Sequence, residues 1–168
     1  MNGLGHQDDA PQAPDHPIEV LEIAPTAPEG AWVYASCGAW QTPSRGQPLA
    51  EFLLVSLNSS ELHVETVYDV VALHADNSGP LRLYDTVDLG RPWQPGSACD
   101  HLLVAPPYIV DEGAGEFEIF GLALSLLWLI PITASEAEFA NHHGGYLLGE
   151  EIAEADVGVF QADRPSVR

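Results

Sequence analysis

The sequence contains no lysine. Its cations are five arginines, Arg45, Arg82, Arg91, Arg164 and Arg168, set against 25 acidic residues, for a formal net charge of -20 over 168 residues. Without lysine there is no Schiff base and no Walker-type phosphate lysine, and without a basic stripe the phosphate neutralisation that drives nucleic-acid binding is missing. Cysteine is nearly as scarce. Cys37 and Cys99 belong to no CxxC pair and cannot build a disulfide framework, so two reduced, buried, small apolar residues are expected. A spanning helix needs about 20 consecutive apolar residues, whereas the longest uncharged run begins after Glu118, is interrupted by Gly121 and meets Pro131 first. No basic region followed by an apolar stretch opens the chain, which makes cytoplasmic residence the default expectation.

The motifs of common enzymes are absent as well: no GxSxG elbow, no HExxH, no GxGxxG after a strand, no EF-hand loop. His142 and His143 are adjacent, about 100° apart on a helix, while a shared metal prefers ligands at i and i+4 on one face. The pairs Asp111-Glu112 and Glu150-Glu151 are neighbours in sequence, but an acid/base couple needs environments that push two pKa values apart. The expectation is a protein that is not an enzyme and uses no metal or cofactor.

What the sequence does hold is a 46% hydrophobic composition, ordinary for one globular domain. Residues 1–17, rich in Pro, Asp, Gln and Gly, have too little apolar surface to offset the entropy of ordering and read as a disordered tail before a domain over 18–168. The stretch LSLLWLIPITASE is the most informative. Thr133 followed by Glu136 is a capping box, which starts a helix at Ala134 and makes the apolar run before it a separate element. That run, Phe117 to Ile130, is read as one long strand buried on both faces, with Pro131 at the strand-helix corner.

Shorter strands are expected at 18–23, 32–37, 51–57, 81–87, 101–105 and 157–160, the second and third joined as an antiparallel pair. Asn58 with Glu61 suggests a second helix start, stapled by Leu57 and Leu62, whose apolar face is Val64, Val67, Val70, Val71 and His74. Gly144-Gly145 breaks the helix begun at Ala134, and a further helix runs from Tyr146 to Ala155. These elements give an α+β fold: a mixed, largely antiparallel sheet with helices packed on it, in a single domain.

Acidity is uneven along the chain. Between Pro92 and Asp163 there is no cation at all, yet twelve carboxylates fall there. Such a surface repels nucleic acid and anionic lipid and attracts basic proteins, although it also serves solubility alone. The candidate partner-binding residues are Asp111, Glu112 and Glu116 in the loop before the buried run, and Glu150, Glu151 and Glu154 on the last helix.

Five segments resemble the suppressor of fused family: ASCGAW at 35–40, EFLLVSLNSSELHVETVYDVVALH at 51–74, GRPWQPGSACDHLLVAPP at 90–107, LALSLLWLIPITASEAEFANHHGGYLLGEEI at 122–152, and QADRPSV at 161–167. In the fourth, a hydrophobic strand, a Pro turn, a Thr/Ser-Glu-rich helix and an HG break follow in the family's order, and Asp163-Arg164-Pro165 looks like the Asp-Arg that closes the family domain. The resemblance implies a mixed α/β domain that works by binding protein. In animals the related domain belongs to a two-domain repressor that clamps a peptide of a transcription factor. Bacterial single-domain relatives are proposed immunity proteins, which implies a protein partner here such as a basic nuclease toxin. The competing readings are a hydrolase or transferase using an acidic cleft, and a scaffold domain without a small ligand.

Overall fold

The structure is a computed structural model that describes residues 18–41, 49–76, 79–108, 115–119 and 121–168. The expected tail at 1–17 lies outside the described residues.

Among the described residues seven strands form one sheet: β1 (Glu19–Ile23), β2 (Trp32–Cys37), β3 (Leu49–Ser56), β4 (Thr86–Asp88), β5 (Cys99–Ala105), β6 (Glu116–Ile119) and β7 (Leu122–Thr133). The order is β1-β2-β3-β7-β5-β4, with β6 pairing β7 beyond the end of β5. Only β3 and β7 are parallel; all other pairs are antiparallel. The helices are α1 (Glu61–Ala75), which follows β3, and α2 (Ala134–His143) with α3 (Gly145–Ala155), which follow β7. The α+β fold read from the sequence is the one observed.

Alternation along the central strands builds two cores. Phe52 and Leu54 of β3, Leu127 and Leu129 of β7, and Leu102 and Val104 of β5 meet Val67, Val70 and Val71 of α1. Their neighbours Leu53, Val55, Trp128, Ile130 and Leu103 face the other way and meet Ala137 and Ala140 of α2 and Leu148 and Ile152 of α3. Because adjacent strand residues point to opposite faces, a strand with helices on both sides must be apolar continuously, and that hides its period in the sequence.

The long buried strand needs correction. Residues 116–133 form a hairpin, turning at Gly121, whose φ of +79° suits a residue without Cβ. Phe117 and Leu122 are exposed there, and continuous burial begins only at Leu127. Pro131 lies inside β7, opposite Leu102, two residues before the corner. The ladder to β3 ends at Leu129, so Pro131 has β5 as its sole strand neighbour, the kind of one-sided position where a missing N–H is tolerated.

Four smaller corrections follow. The α1 cap is Ser60, not Asn58: its hydroxyl accepts from the Leu62 N–H at 3.2 Å. Residues 81–85 do not continue the strand at Thr86, since Tyr84 turns the chain with a φ of +71°. Residues 157–160 form a turn rather than a strand. Cys37 is exposed, because it ends β2 next to edge strand β1, whereas Cys99 is buried as expected.

Candidate functional site

α3 follows α2 directly. Gly144, with a φ of +101°, is shared between the end of one helix and the start of the other. α3 lies close over the sheet because its inner face carries glycines. A Cβ on Gly145 would collide with the Tyr84 carbonyl oxygen, and one on Gly149 would sit 3.8 Å from the Tyr84 ring and 3.9 Å from Leu103. The positive φ of Tyr84 turns the chain at this contact, an uncommon conformation for an aromatic residue.

A groove of about 180 Å³ opens beside α3, with Trp128 and Ile130 of β7, Ile152 and Ala153 of α3, and Val159 among its lining residues. Tyr108 forms one wall, edge-on to Trp128 with ring centroids 6.4 Å apart. Phe160 packs on Trp128 at 5.8 Å. Trp128 is 4% exposed, and its indole N–H has no hydrogen-bond acceptor among the described residues. Tyr84 and Tyr146 meet at right angles, 5.4 Å apart. Partial desolvation raises the Tyr108 phenol above its usual range, helped by the neighbouring Tyr84 hydroxyl and by the Glu150 carboxylate.

The structure separates the six acidic candidates. Glu150 and Glu154 are exposed and four residues apart on α3, hence on one helical face. Glu151 is turned away from them and pairs with Arg168, whose guanidinium lies 4.3 Å over the Phe139 ring. Glu116 is exposed, and it opens β6 opposite Ser125 rather than sitting in a loop. Asp111 and Glu112 lie outside the described residues.

The capping box of Thr133 and Glu136 is present as expected, and two buried polar clusters go beyond what the sequence showed. Arg164 and Glu136, both fully buried at the side chain, form a bidentate pair. Arg164 also donates twice to the Pro131 carbonyl, at 2.8 and 3.2 Å, while Glu136 accepts from the backbone N–H groups of Thr133 at 2.7 Å and Val167 at 2.9 Å. Burial by itself would raise the Glu136 pKa, but Arg164 and the two N–H donors outweigh it and hold the carboxyl below its usual range. This pair fastens the chain end to the start of α2. The second group is His63, stacked on Trp93 at 5.2 Å and edge-on to Tyr34 at 5.1 Å. Burial, then Arg91, lower its pKa to about 4; the Asn58 backbone opposes them but lies short of hydrogen-bond geometry.

Among the described residues no group of three or more His, Cys, Asp and Glu could hold a metal ion. His142 and His143 are exposed, and His143 stacks on Phe139 at 4.6 Å. Among the described residues no helix is long and apolar enough to cross a membrane.

Comparison with solved structures places the same fold in a suppressor of fused homologue from Neisseria gonorrhoeae, at 27% identity and a TM-score of 0.76, covering 89% of this chain and 77% of that one. The crystal structure of the Sufu–Fu complex contains a similar fold at 12% identity and a TM-score of 0.62, over 82% of this chain and 68% of its counterpart. Drosophila Suppressor of Fused matches at 13% identity and a TM-score of 0.59, over 89% of this chain but only 42% of that longer protein. No curated protein matches the sequence. The model of the suppressor of fused protein family matches residues 14–165, which takes in all the strands and helices described above, and the chain belongs to that family.

Proposed function

We propose that the chain is a protein-binding module, and not an enzyme, that acts in a bacterial cytoplasm by covering a basic surface of its partner, as an immunity protein covers a toxin. The observation that carries this reading is a set of exposed carboxylates with their nearest cations in sequence already engaged. Glu116, Glu118, Glu138, Glu150, Glu154 and Asp156 are exposed. Arg164 is buried with Glu136, and Arg168 is taken by Glu151. Exposed carboxylates can stand in for the phosphates that a nuclease binds, and their field steers a basic partner into contact.

The relatives support binding as the mode of action. The Sufu–Fu structure holds a protein of this fold in a complex, and the Neisseria homologue shows that a bacterial chain carries the fold. Asp111 and Glu112 complete the proposed set of contact residues.

The test is co-expression with the product of each neighbouring gene, followed by association kinetics. A neighbour that arrests growth alone but not with this chain supports the proposal. The association rate should then fall steeply between 0.1 and 1 M salt, over which the Debye length shrinks from about 10 to about 3 Å, while dissociation changes less. Neighbours that neither harm the cell nor bind would refute the immunity role, and a salt-indifferent association rate would refute electrostatic steering.

A further inference from the structure

We propose that the groove between Tyr108, Trp128 and α3 takes one large apolar side chain of a protein partner that carries a lysine or arginine beside it. The inference rests on the protein-binding reading and adds to it a place and a chemistry.

Size argues for a side chain. Pockets that enclose cofactors and drug-sized ligands hold roughly 300–1,000 Å³, and this groove holds about 180 Å³. Its walls are apolar at Trp128, Ile130, Ile152 and Val159. Its rim carries Tyr108, 51% exposed; the Tyr84–Tyr146 pair, whose Tyr146 is 52% exposed, lies outside the groove near Tyr108. A half-exposed tyrosine beside a buried tryptophan makes rigid, amphipathic contact area, of the composition enriched among the residues that dominate binding energy at protein interfaces.

Charge fixes the neighbour of that side chain. Asp156 lines the groove, Glu150 acts on Tyr108, and Glu154 is exposed one turn beyond Glu150. Asp156 is also the C-cap of α3, so the negative end of the helix dipole adds to its carboxylate. Arg168, which could have neutralised this face, is held at Glu151 and Phe139. A partner cation therefore finds carboxylates, a helix C-terminus and exposed phenol rings together, and its attraction to the ring faces adds to the ion pairing.

The probe is a phage-displayed library of random dodecapeptides selected on the whole chain, with enriched sequences resynthesised. Enriched peptides should pair an aromatic or aliphatic residue with an adjacent Lys or Arg, and should shift the Trp128 indole N–H resonance. Ala153→Trp fills the groove from an exposed position on α3, so the fold should tolerate it; it should weaken binding at least tenfold. Glu150→Gln with Asp156→Asn should weaken binding several-fold and flatten its salt dependence, Asn being as tolerant as Asp of the left-handed backbone at 156. If folded Ala153→Trp binds the peptides as well as the parent does, the groove is not the site, while protein binding stands. If enriched peptides lack a cation, the chemistry is wrong. If nothing is enriched, the groove proposal falls; a neighbouring gene product that still binds leaves the protein-binding reading intact, and its failure to bind ends both.

Discussion

Arg164 grips Glu136 through two parallel hydrogen bonds, Nη1 to Oε1 at 2.9 Å and Nη2 to Oε2 at 2.5 Å, with neither side chain exposed. Burying two charges is costly, and only such a fork-to-fork geometry with every remaining lone pair satisfied offsets the lost hydration. Removing one partner strands the other. Glu136→Ala and Arg164→Ala should each destabilise the domain by about 3–5 kcal/mol, read as a fall in the urea midpoint, and the double variant should lose less than the sum. Thr133→Ala, which removes the capping hydroxyl and the γ-methyl but leaves the Arg164–Glu136 pair in place, should cost about 1 kcal/mol.

The same pair sets an acid limit. Glu136 is held below its ordinary value of 4.5, so its contribution is complete above that pH and is lost as pH falls through the depressed folded value. Urea titrations of parent and Glu136→Gln should therefore converge toward strong acid; a gap constant down to strong acid would contradict the depressed carboxyl.

His63 acts in a different pH window. Its pKa is about 4 in the folded chain against 6.5 unfolded, so the unfolded chain binds the proton first as pH drops. Stability should decline between those two values by roughly 3 kcal/mol, and none of that decline should remain above the upper one. His74, lowered chiefly by its own burial, adds in the same direction. His63→Phe keeps a ring against Trp93 and Tyr34 and cannot titrate; it should flatten the decline. An unchanged pH profile in that variant would assign the acid sensitivity elsewhere.

What could be read from the sequence was what is local in the chain. Thr133 and Glu136 are three residues apart and announce their capping box directly. Arg164, which turns that box into a buried node, stands 28 residues away, and only the family resemblance of its Asp-Arg-Pro segment marked it. The hairpin at Gly121 was hidden because Phe117, Leu122 and Ala123 are apolar although exposed, so in sequence they run on into the buried part of β7 with no period to mark the change. Tyr84 was read into a strand because nothing in an aromatic residue foretells a positive φ, and the Gly145 backbone that packs against it comes from α3, some sixty residues on. The groove was illegible for the same reason, its walls coming from residues 108, 128 and 152–159.

The contact of Gly145 with Tyr84 gives a packing prediction. Gly145→Ala places a methyl group against a backbone oxygen that cannot move aside without displacing α3. Overpacking of this kind costs about 1–3 kcal/mol. At exposed Gly144 an added Cβ would meet no atom within 4 Å, so Gly144→Ala would be strained by its φ instead. An increased hydrogen exchange confined to α3 in Gly145→Ala would locate the damage; exchange unchanged along α3 would show that the helix does not depend on this approach.

The three glutamates of α3 should respond differently to reversal. Glu150 and Glu154 are exposed at i and i+4, where like charges repel, so Glu150→Lys should be neutral or stabilising by about 0.2–0.5 kcal/mol. Glu151 is paired with Arg168, and both side chains are partly exposed, so solvent screens the pair and limits its worth to about 1 kcal/mol. Glu151→Lys should nonetheless be the one reversal that lowers stability, because two cations would then meet and Arg168 would leave the Phe139 ring. The Phe139 ring resonances report this directly: they should shift in Glu151→Lys and stay in place in Glu150→Lys and Glu154→Lys. If all three reversals move them alike, Glu151 does not hold the chain end. It would then belong with its neighbours in the proposed acidic surface.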